Sequence, residues 1–107
     1  MNEEEFIGYI GDYRFHDCMV KEIELDKDRI NITLVGCDRN VVFVEFIGIK
    51  DIKVNKAEGM VLYAISEMNE QSPYRKFVFV NTDEEDDSYL EISAQEYFIK
   101  YRENKNM

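Results

Sequence analysis

Between Met19 and Ile47, apolar residues recur at every second position: Ile23 and Leu25, then Ile30, Ile32 and Leu34, then Val42, Val44 and Phe46. That period puts them on one face of a pleated strand and predicts three consecutive strands sharing a buried face. Residues directly opposite each other in an antiparallel pair point to the same side. Leu25 is therefore set against Ile30 and Ile23 against Ile32, around the polar loop Asp26-Lys27-Asp28-Arg29. The next hairpin pairs Leu34 with Val42, Ile32 with Val44 and Ile30 with Phe46, across a loop containing Gly36, Cys37, Asp38, Arg39 and Asn40. Val41 to Ile47 is apolar on both faces apart from Glu45, the pattern of a strand covered on both sides.

The flanks follow less strict patterns. From Asn2 to Tyr9, three acids follow an Asn cap and precede Phe6, Ile7, Tyr9 and Ile10, and acids in a first turn favour a helix through its dipole. Gly8 and Gly11 limit it to about two turns, so a short helix on the sheet and a frayed terminus both fit. Ile49, Ile52 and Val54 leave room for a short strand before Asn55-Lys56-Ala57-Glu58-Gly59 turns the chain. Met60 to Met68 fits a helical stripe (Val61, Ala64, Ile65, Met68) and strand alternation (Val61, Tyr63, Ile65); the strand is preferred because Gly59 sits where a hairpin would turn. Pro73 lies in a turn cluster ahead of the strand Tyr74 to Val80, and Tyr89 to Ile92 forms a further strand. One register places Phe79 opposite Leu90 and Phe77 opposite Ile92. Ser93-Ala94-Gln95-Glu96 matches a helix capping box, whereas Tyr97 to Tyr101 has strand composition, and the segment is taken as a final strand. The expected fold is mostly β: one antiparallel sandwich or partly open barrel of about seven strands with a short N-terminal helix, in a single domain spanning residues 1–107.

Charge narrows the function classes. With 13 Lys+Arg against 23 Asp+Glu, the formal net charge of -10 repels phosphate backbones and anionic headgroups, so neither nucleic acid nor a membrane surface is an expected partner. Met1-Asn2-Glu3-Glu4-Glu5 lacks the basic and apolar regions of a secretory signal, which points to a cytoplasmic protein. Cys18 and Cys37 are too few for a disulfide scaffold and are expected as reduced thiols lying near one another; with one histidine no zinc spacing exists.

Two local features invite chemistry. His16-Asp17-Cys18 places a base beside a thiol, but residues entering a strand alternate, so His16 and Cys18 would share a side and Asp17 would not. A thiolate also needs positive surroundings, so His16 is expected to hydrogen-bond a loop carbonyl instead. The acidic run Asp83, Glu84, Glu85, Asp86 and Asp87 lacks the alternating ligands and central glycine of a calcium loop. No phosphate-cradling loop or paired catalytic carboxylates appear, so no catalytic, cofactor-binding or metal residue is assigned and no enzyme is expected. The seven tyrosines are more suggestive, because Tyr9, Tyr13, Tyr74, Tyr89, Tyr97 and Tyr101 cannot all be inside. Exposed tyrosines beside acids make a protein-binding surface, and ordinary half-buried tyrosines at sheet edges would look the same.

Phe15-His16-Asp17-Cys18-Met19-Val20-Lys21-Glu22-Ile23, followed by the strands Ile30 to Leu34 and Val42 to Phe46, resembles the "FHD, then alternating strand" opening of small uncharacterised bacterial proteins, some of which look like immunity proteins from toxin neighbourhoods. The resemblance covers about the first half of the chain. It implies a cytoplasmic, β-rich, non-enzymatic domain that binds a protein, and it transfers no functional residue. The resulting expectation is a binding module for a basic protein partner through Asp83 to Asp87 and Tyr89, with self-association through sheet edges as a further option. The alternative is a small-molecule-binding or enzymatic barrel with a pocket near His16.

Overall fold

The computed structural model describes residues 5–36 and 39–102 and contains seven antiparallel strands: β1 (Phe6–Ile10), β2 (Met19–Asp26), β3 (Arg29–Val35), β4 (Val41–Asn55), β5 (Leu62–Met68), β6 (Arg75–Asn81) and β7 (Tyr89–Arg102). They form a single sheet in the order β1-β5-β6-β7-β4-β3-β2. The alternation of β2 to β4 sets the register as read from the residues: Leu25 faces Ile30, Ile23 faces Ile32, and Ile30, Ile32 and Leu34 face Phe46, Val44 and Val42. Phe79 likewise faces Leu90, and Phe77 faces Ile92.

The sheet curls until its ends meet. Val20 donates to the Met60 carbonyl at 2.9 Å, Gly59 to the Val20 carbonyl at 2.7 Å and Leu62 to the Cys18 carbonyl at 2.7 Å. β2 thus closes on the start of β5, while β1 takes the rest of the same edge, with Ile10 opposite Ile65 and Tyr9 opposite Ser66. Of the two forms expected, this is the partly open barrel. Its inside is filled by residues from every strand, with the Phe46 ring centre 5.0 Å from that of Phe77 and 6.0 Å from that of Phe79.

Several expectations are corrected. The expected helix starts at Asn2, and residues 2–4 lie outside the described residues; Phe6 to Ile10 form a strand instead, because Phe6, Gly8, Tyr9 and Ile10 gain backbone partners along β5 that a two-turn helix interrupted by glycine would lack. Among the described residues, helical geometry is confined to the 3-10 turn Tyr13–Phe15. The segments Ile49 to Val54 and Tyr97 to Tyr101 are not separate strands. Each continues a longer one, and β4 and β7 pair along nearly their whole lengths with a bulge between Ile49 and Asp51. Leu25 is 62 % exposed and Ile23 half-buried, although both keep the expected register. They lie one strand further out than Ile30 and Ile32, which β3 holds between two neighbours. The outward side of Val41 to Ile47 is only half covered.

Candidate functional site

Residues 5 to 20 run along the outer edge of β5, and their kink decides what faces solvent. Gly11 (φ 77°) turns the chain out of β1, and Asp12 caps the 3-10 turn by accepting from the Arg14 backbone N–H at 2.9 Å. Phe15 is driven inside, and Asp17 adopts φ 68° before β2 starts. That left-handed residue breaks the alternation expected of His16 and Cys18. His16 is left outside with Nδ1 3.3 Å from the Tyr63 carbonyl oxygen, while Cys18 is buried and donates from Sγ to the Arg14 carbonyl at 3.0 Å. The carbonyl that His16 meets belongs to a strand, not a loop. Cys37, and with it the expected approach of the two thiols, lies outside the described residues.

A cleft of about 190 Å³ does open beside His16, bordered by Tyr13, Arg14, Cys18, Asn40 and Tyr101. Arg102 also lines it, and Arg14 is held by a neighbouring acid. The Arg14 guanidinium donates to both Asp12 carboxylate oxygens, at 2.6 to 3.2 Å, and lies 3.5 Å over the Tyr101 ring. Those hydrogen bonds hold the Asp12 carboxyl down at about 2, and burial pushes the Tyr101 phenol up. Among the described residues, no group of three His, Cys, Asp or Glu side chains could hold a metal ion, and no helix is long and apolar enough to cross a membrane.

The more extensive feature is a run of exposed rings on the β1–β5 surface. Phe6 meets Tyr9 at 5.0 Å, Tyr9 meets Tyr63 at 6.3 Å, and Tyr63 meets His16 at 5.3 Å, each pair edge to face. Tyr9 is 58 % and Tyr63 48 % exposed. Alternation had put Tyr63 on the buried side with Val61 and Ile65. A register shift between Leu62 and Ala64 turns it outward instead, and Leu62 and Ile65 go inside. No residue pattern announces that bulge, which is why Tyr63 was missed. Tyr13, the most exposed tyrosine, stands at one end of the run and lines a second cleft with Tyr9, His16 and Tyr63.

The acidic turn between β6 and β7 lies beside Tyr63, tied to the start of β5 by Thr82, whose N–H and hydroxyl both donate to the Val61 carbonyl. Its five acids are not equivalent. Asp83 accepts from the Glu85 N–H, and Asp86 accepts from the Asn81 side chain and from the Ser88 N–H and hydroxyl, which together lower its pKa. Asp87 pairs with Lys56 at 3.5 Å. Only the Glu84 and Glu85 side chains make no hydrogen bond or ion pair among the described residues. Glu84 lines a cleft of about 320 Å³ together with Tyr9, Tyr63, Val80, Asn81 and Thr82. Tyr89 is exposed but stands opposite Asn55 in β4, outside that cleft.

No protein-family model matches the chain, and no curated protein or solved structure matches it.

Proposed function

We propose that this chain is a non-enzymatic binding module that occupies a basic protein, in the manner of an immunity protein acting on a cationic toxin. The observation carrying the reading is the run Phe6, Tyr9, Tyr63 and His16, exposed beside two acids that the fold leaves without partners. Tyrosine supplies a large amphipathic contact area with few rotatable bonds, and aromatic residues are enriched where proteins meet. A net charge of -10 adds attraction toward a basic face and speeds encounter. The same charge opposes self-association along the free edge of β1 and binding to nucleic acid or anionic lipid.

The enzymatic or ligand-binding alternative at His16 draws less support. Cys18 and His16 are turned to different carbonyls, Arg14 is neutralised by Asp12, and the barrel interior is filled by apolar side chains from every strand.

The test is affinity capture from the source cells with wild type and with a Tyr63→Ala, Glu84→Gln double variant, followed by identification of what is retained. A basic protein held by wild type, released by rising salt and lost by the double variant is expected. A captured protein indifferent to both substitutions would remove this face from the function. Failure of wild type to retain any protein would remove the binding role itself.

A further inference from the structure

The protein repeats one arrangement three times with its own residues: a cation held between a carboxylate and an aromatic ring. Arg14 is paired with Asp12 at 2.6 Å and lies over Tyr101. Lys50 is paired with Glu70 at 2.7 Å, 5.4 Å from the Tyr74 ring centre. Arg75 is paired with Glu67 at 2.8 Å and sits 5.2 Å from the Tyr97 ring centre. In each, the ring quadrupole and the carboxylate attract the same charge from two sides. Tyr9, Tyr63 and Glu84 bring two rings and a carboxylate to the lining of one cleft, and no basic side chain of this chain lines it among the described residues. The cleft of about 320 Å³ is lined by Tyr9, Tyr63, Val80, Asn81, Thr82 and Glu84.

We propose, resting on the binding role above, that this cleft is the socket for one lysine or arginine side chain of the basic protein partner. The side chain's methylenes lie along Tyr9 and Tyr63, and its charged end reaches the Glu84 carboxylate. Complementarity of charge chooses a basic partner over a second copy of this chain, since two copies would each bring a net charge of -10. Glu84 and Glu85 then differ in role although they are adjacent: Glu84 contacts the inserted cation, and Glu85 contributes only to the general field.

The socket is tested by titrating isotopically labelled protein with the capped tripeptide Gly-Arg-Gly and with its uncharged citrulline counterpart, following the tyrosine ring resonances by NMR. The arginine peptide is expected to move the Tyr9 and Tyr63 ring signals and the citrulline peptide to leave them. Glu84→Gln should weaken the arginine peptide about three- to tenfold, and Glu85→Gln, an equal change of charge in the same turn, should not. Tyr63→Leu, which keeps bulk and removes the ring, should abolish the effect with the remaining spectrum unchanged. No movement at millimolar peptide, equal movement with citrulline, or equal weakening by the two Gln variants overturns the socket. Such a result leaves the binding role standing if the captured partner still depends on this face. A working socket in a protein that captures nothing separates the two the other way.

Discussion

At the scale of single residues, burial and position in the sheet decide cost. Ile32 is fully buried between β2 and β4, so Ile32→Ala should destabilise the fold by about 2–4 kcal/mol, through lost burial and the cavity left behind. Leu25→Thr, at the exposed end of the same register, should change stability by less than about 0.5 kcal/mol in the same denaturant melts. Similar costs at both sites would show that the edge strand is covered in solution. Asp12 gives a pH-dependent term. Its folded pKa of about 2 lies below the ordinary 3.8, so its contribution is complete above about 4 and is lost as pH falls toward 2. Acid melts of Asp12→Asn should therefore lose less stability than wild type across that interval, and parallel curves would show that the Arg14 pairing does not hold the turn. Residue-level reading of burial succeeded where strict alternation falls on a strand flanked by two others, as at Ile30, Ile32, Leu34, Val42, Val44 and Phe46, and not at Ile23 and Leu25 in β2. It failed where one backbone angle intervenes: the left-handed Asp17 separates His16 from Cys18, and no composition signal marks it.

At the scale of elements, long strands were harder to see than short ones. β4 has 15 residues and β7 has 14, yet each looked like two segments, because Gly48 and the polar stretch Ser93 to Glu96 interrupt the apolar pattern. The chain crosses both interruptions without leaving the ladder. Gly48 adopts φ 74° beside the bulge, so the kink is absorbed within β4 and Ile49 still pairs with Ala94. A Cβ at Gly48 would stand 2.9 to 3.0 Å from the Gln95 side chain in a conformation that costs other residues about 1–2 kcal/mol. Gly48→Ala should thus lower stability by at least that amount. Gly8→Ala, where a Cβ meets nothing within 4 Å, should be neutral or slightly stabilising. Equal effects in thermal melts would mean that β4 is not held continuous by its glycine. The acid-rich opening of the N-terminal segment pointed to a helix for a comparable reason. Local dipole preference was visible in the sequence, and the free edge of β5 that recruits β1 was not.

At the scale of the whole molecule, charge and dimensions act together. The described part measures 52 by 31 by 23 Å, and β4 alone accounts for most of its length. At an ionic strength of about 0.01 M the screening length is about 30 Å, so an excess of ten negative charges repels itself across the width of the barrel. At about 0.15 M that length falls to about 8 Å, and only neighbouring charges still interact. The ion pairs Arg75–Glu67 and Lys50–Glu70 are short, at 2.8 and 2.7 Å, and lose less to screening than the distributed repulsion does. The melting temperature should therefore rise with sodium chloride between those two conditions. Neutralising Glu84 and Glu85 to Gln, which disturbs none of the hydrogen bonds that Asp83 and Asp86 supply to the turn, should raise the low-salt value and flatten the slope. The same substitutions should slow association with a basic partner at low salt and leave the high-salt rate nearly unchanged. A melting temperature that falls with salt in wild type would mean that the internal pairs outweigh the net repulsion, and the two glutamates would then have no stabilising consequence to set against a role in binding.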